Sequence, residues 1–97
     1  MLKIEDKKRV KIKDLKIKVA QKMYDMYRND PHLKFYEKEF KQLLNDELKV
    51  ESNDIEILMK YMLEKDFIVS HQDRVETSRY SSITANLIDF VENLPNA

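Results

Sequence analysis

The sequence predicts a small α+β domain that is mostly helical, with three helices, a β-hairpin and a C-terminal helix. Three observations predict it. Apolar residues recur every three or four positions in four separate stretches, the period of a helix with one buried face. A run of strand formers, Phe67-Ile68-Val69, follows the third stretch directly. Asn, Asp, Ser and Pro punctuate the boundaries in a chain that contains no glycine. Ninety-seven residues at 42% hydrophobic suffice for one core and not for a second. A single domain is expected over residues 12–94, preceded by a basic and mobile arm over residues 1–11.

The first helix starts near Ile12, where Ile12, Leu15, Val19, Met23 and Met26 settle into helical spacing. Asn29-Asp30-Pro31 ends it, because proline cannot continue the ladder and pushes the preceding residue out of the helical region. Leu33, Phe35 and Tyr36 can make a brief strand. A second helix follows from Glu37 to Asn45 or Glu47, with Phe40, Leu43 and Leu44 inward. The third begins at Ser52 or Asn53, either of which can cap free amides, with Asp54 and Glu56 near the positive end of its dipole. Ile55, Leu58, Met59 and Met62 form its inward stripe. Asp66 stands where a helix usually ends on a left-handed glycine, so a positive φ is expected there. Val75, Thr77 and Tyr80 lead back from a hairpin tip near His71 to Arg74, and Thr84 caps a last helix that stops before Pro95.

The stretch "LKVESNDIEILMKYMLEKDFIV" resembles the winged helix-turn-helix superfamily. Leu48 and Val50 match its turn, Ile55, Met59 and Met62 its core stripe, and Asp66 takes the place of a glycine. "YSSITANLIDFVENL" is similar to the ending of many small bacterial, archaeal and phage members, with Leu87 where a glycine often stands. The resemblance covers residues 12–94 and implies a hairpin wing and a third helix that enters the major groove of DNA.

Net charge is zero, yet residues 1–22 hold nine Lys or Arg against three acids, and the remainder holds nine against fifteen. The cations expected to grip phosphates are Lys7, Lys8, Arg9, Lys11 and Lys13 on the arm, Lys49 in the turn, and Arg74 and Arg79 on the wing. On helix three, Asn53 can read adenine, Glu56 can accept from cytosine and Lys60 adds a cation. Asp54 and Glu56 oppose this reading, because phosphates repel them. The alternative is a protein-interaction module in which Asp54, Ile57 and Tyr61 form the contact surface, Ile57 and Tyr61 sharing a face at four residues' separation. Tyr24, Tyr27, Phe35, Tyr36 and Phe40 read as core packing rather than a base-stacking platform.

The absence of cysteine excludes disulfides and thiolate metal sites, and two histidines, His32 and His71, cannot assemble a histidine-rich zinc site. Without glycine neither a P-loop nor a dinucleotide fingerprint can form. Ser78, Ser81, Ser82 and Thr84 lack a partner in any triad motif. No enzyme, cofactor or metal is expected. Apolar runs of three residues span no membrane, so a cytoplasmic protein is expected. Double-stranded DNA is the expected partner, with a homodimer seam through residues 85–94, where Leu87, Ile88, Phe90, Val91 and Leu94 supply apolar surface.

Overall fold

A computed structural model describes residues 11–73 and 78–95. These residues fold as α+β and mostly helical, in the order α1 (Ile12–Asn29), β1 (Phe35–Tyr36), α2 (Glu37–Leu48), α3 (Ser52–Glu64), β2 (Ile68–Gln72), β3 (Arg79–Ile83) and α4 (Ala85–Glu92). The strands form one antiparallel sheet in the order β1-β3-β2. Lys7, Lys8, Arg9 and Arg74, with the expected strand residues Val75 and Thr77, lie outside the described residues.

α1 buries Leu15, Val19, Ala20 and Met23. Their spacing places them on one stripe, against which α3 packs with Ile55, Leu58 and Met62. α1 ends where Pro31 requires it: Asp30 is extended, its amide still reaches the Met26 carbonyl, and its carboxylate accepts from the His32 amide at 3.1 Å. Phe35 follows into the core and meets Phe40 edge-on, with centroids 5.2 Å apart. Tyr24 on α1 donates to Glu92 on α4 at 2.6 Å and accepts from Arg28 at 3.2 Å. That hydrogen bond to Tyr24 holds the Arg28 guanidinium above its ordinary pKa.

α2 runs to Leu48, beyond the expected Asn45 or Glu47, and stops because Lys49 turns left-handed at φ 57°. Asn45 clamps the turn by donating to the Val50 carbonyl at 3.0 Å, and Val50 is buried. The start of α3 corrects the capping expectation. Glu51, extended and without a side-chain cap, precedes the helix, and Ser52 is already helical. Burial of Val50 sets where the chain enters the helix, so neither Ser52 nor Asn53 takes the cap position.

Asp66 adopts φ 60°, as its place at the helix end requires. Its amide reaches the Leu63 carbonyl at 3.1 Å and the Phe67 amide reaches the Met62 carbonyl at 2.9 Å. These two bonds satisfy carbonyls that the helix end would otherwise leave open and aim Phe67 back onto the core. Thr84 closes the other side of this corner: its hydroxyl accepts from the Leu87 amide at 3.4 Å and donates to the Asp66 carbonyl. Leu87 is fully buried.

The register separates two sheet faces. Phe35, Ser81 and Ile68 point to the core and are buried, whereas Tyr36, Tyr80, His71 and Val69 lie on the opposite face. Two expectations are corrected here. Tyr36 belongs to this outer face rather than the core, and His71 lies within β2, paired with Tyr80, rather than at a hairpin tip.

Candidate nucleic-acid interface

The outward side of α3 carries Asn53, Glu56, Ile57 and Lys60, all exposed. Asp54 is not among them. It is 7% exposed, on the side of the helix that carries Leu58 four residues on, and this overturns its assignment to an external contact surface. Helical geometry explains the difference: a rotation of about one residue, 100°, decides whether position 54 lies outside or at the edge of the core.

Glu56 stands outside but is engaged. Its carboxylate accepts from the Lys41 ammonium of α2 at 2.6 Å, and Lys41 also lies 3.5 Å from Glu37. The hydrogen bond to Glu56 holds the Lys41 ammonium above its ordinary pKa, with Glu37 adding to it against partial burial. Of the three acids on this helix, Asp54 is thus accounted for by burial and Glu56 by an interhelical ion pair, while Glu64 stays exposed at its end.

Beneath the start of α3 a cleft of about 300 Å³ opens towards α2, lined by Lys38, Lys41, Gln42, Asn45, Ser52 and Glu56. The α2 residues of this wall went unassigned in the sequence. Their signal is the polar spacing 38, 41, 42, 45 opposite Phe40 and Leu44, which marks the solvent face of α2 without showing that α3 crosses it. Lys49 follows directly, exposed at the left-handed corner. Comparison with family models, curated proteins and solved structures finds no match to this chain.

Ile57 and Tyr61 share a side of α3 without forming one open patch. Ile57 is 50% exposed. Tyr61 is half-buried, with the Lys16 ammonium 3.3 Å from its hydroxyl and 5.3 Å from its ring centre, and Lys65 5.8 Å from the same ring. Lys11 and Lys13 are exposed at the start of α1, Lys11 just before its first residue. Arg79 is exposed on β3 and donates to the Ser70 hydroxyl of β2 at 3.3 Å.

The apolar residues expected to form a dimer seam are partly covered within the chain. Leu87 and Val91 are buried, and Phe90 packs on Phe67 at 5.1 Å beneath the Lys16 ammonium at 4.9 Å. Among the described residues no group of three or more His, Asp or Glu side chains could hold a metal ion. No described helix is long and apolar enough to cross a membrane.

Proposed function

We propose that the chain is a winged helix-turn-helix protein that binds duplex DNA as a non-enzymatic transcriptional regulator or accessory factor. The order of elements supports the fold reading: three helices, a short strand inserted after the first, and a hairpin after the third whose second strand lies between the other two. The observation that carries the functional reading is electrostatic. With Asp54 buried and Glu56 paired to Lys41, α3 presents Asn53, Ile57 and Lys60 to a ligand instead of two free carboxylates.

In this reading α3 lies in the major groove. Asn53 bonds an adenine edge, Ile57 meets a thymine methyl and Lys60 takes guanine or a phosphate. Lys38, Lys49 and Arg79 flank the helix and hold the phosphates, together with the basic arm. A second reading rests on one observation: Ile57 and Leu63 leave 50% and 42% of their surface exposed on the same helix, which suits a protein partner.

Fluorescence anisotropy of a labelled duplex across a salt series separates the two. Four to six phosphate contacts give a fall of log K with log salt at a slope of roughly −4 to −5. Lys60→Ala should weaken binding and flatten that slope by about one unit. Absence of binding at low salt would reject the duplex reading and leave Ile57 and Leu63 as a protein contact.

A further inference from the structure

We infer that the outer face of the sheet is a second site, one that stacks the bases of single-stranded DNA. Tyr36, Tyr80 and His71 occupy a single rung across all three strands, since Tyr80 is the register partner of both others. The Tyr36 and Tyr80 rings are 5.5 Å apart, and the His71 imidazole stacks on Tyr80 at 5.0 Å with an interplanar angle of 21°. Among the described residues β2 is an outer strand of the sheet, and the row of rings ends there at His71. One imidazole face is covered by Tyr80, and among the described residues no second ring stacks on His71. A planar base placed there continues the row.

Three further features fit this ligand. The imidazole is held in place by a 2.9 Å hydrogen bond between its Nε2 and the Ser82 hydroxyl, so little freedom is lost on stacking. Val69, on the same face and two residues before His71, is 45% exposed and extends the apolar floor under a base. Lys34 holds its ammonium 4.9 Å from the centre of the Tyr80 ring, which puts a cation beside the stack where a sugar-phosphate backbone runs. Cross-strand ring pairs also stabilise a sheet, and the Tyr36–Tyr80 pair does so. A pinned ring on the outer strand β2, with a lysine over the adjoining Tyr80, adds the two things a nucleotide needs: a flat apolar surface and a positive charge. The Ser82 hydroxyl is engaged by His71, and the Tyr36 hydroxyl donates to Asp73 at 3.0 Å. Recognition therefore rests on stacking and charge, which need no ribose hydroxyl.

This site is separate from the α3 surface, and its test is independent of duplex binding. Labelled oligothymidine of about twelve nucleotides is titrated with the whole chain at low salt, with tyrosine fluorescence as a second readout. The wild type should bind with quenching, His71→Ala should bind about tenfold more weakly or worse, and His71→Phe should bind as well as the wild type because it keeps a flat ring. Duplex binding should be unchanged in His71→Ala. The inference is overturned if the wild type does not bind, if His71→Ala binds oligothymidine as the wild type does, or if His71→Phe fails alongside it. Oligouridine binding clearly tighter than oligothymidine would overturn the assignment to DNA. Parallel loss of duplex binding in His71→Ala would overturn the separateness of the site.

Discussion

Replacing Lys49 by glycine should make the protein more stable, although it removes a long side chain and adds none. Lys49 is held at φ 57° and ψ 37°, where the Cβ of an ordinary residue crowds the following carbonyl. That conformation costs roughly 1–2 kcal/mol for a residue with a Cβ, and glycine escapes it. The opposing term is the extra freedom glycine gives the unfolded chain, about 0.4–1 kcal/mol. The Lys49 side chain is exposed, so little packing is lost. The net gain is therefore about 0.5–1 kcal/mol, or a rise of roughly 2–8 °C in Tm for a chain of this length. Far-UV circular dichroism on heating reads it, with Lys49→Ala as the control that loses the same charge but keeps its Cβ. Lys49→Ala should melt within a few degrees of the wild type. If Lys49→Gly melts at or below Lys49→Ala, the argument from backbone strain is refuted. Asp66→Gly should gain less, because aspartate tolerates the same region better than lysine. Both Lys49 variants should lower the salt slope of duplex binding equally, by about 0.9, since both delete the same cation.

Thr84→Ala removes the hydroxyl that caps α4 and bonds the Asp66 carbonyl, and should cost about 1–2 kcal/mol in urea unfolding without changing the m-value. Leu58→Ala opens a cavity at a fully buried position and should cost about 3–5 kcal/mol, a large part of the 5–15 kcal/mol total typical of such domains. Glu56→Gln releases Lys41 and should lower stability by less than about 1 kcal/mol while tightening duplex binding. The stability difference between Glu56→Gln and wild type has a defined pH dependence. Because the Lys41 pKa is raised in the folded state, its contribution is fully present below the ordinary value of 10.5 and disappears as pH rises through the folded value. Urea midpoints of the two proteins should therefore converge in that alkaline range.

Local chemistry made the element boundaries readable. Pro31 ended α1, Asp66 turned left-handed and Thr84 capped α4, each through bonds within a few residues or by a backbone preference of its own. What could not be read depends on how elements meet. Whether Asp54 faces in or out follows from the rotation of the whole of α3 against α1 and α2. The Lys41–Glu56 pair joins two helices at a fifteen-residue separation, and nothing in the local pattern singles it out. Tyr36 sits between the core residues Phe35 and Phe40 in sequence, and only the register of β1 on β3 moves it to the outer face beside Tyr80. Lys49 is the instructive omission. Its left-handed turn is imposed by burying Val50 and by the Asn45 clamp, against the preference of the residue itself.

A chain with no net charge is an unpromising DNA ligand only if charge is summed over the whole molecule. At physiological salt, exposed charges more than about 8 Å apart are largely screened, so a duplex lying along α3 responds to the local set. There Lys60 and Lys49 are exposed, Lys38 lines the adjoining cleft, Glu56 is bound to Lys41 and Asp54 is withdrawn into the protein. Glu51 and Glu64 stand at opposite ends of the helix, 13 residues and therefore about 20 Å apart along its axis, so each bears on one end of the segment between them. Asn53, Ile57 and Lys60 occupy that segment at the spacing of one helical face. In the proposed complex it is the arrangement of charge along α3, rather than its total over the chain, that would meet a phosphate backbone on either side of this helix.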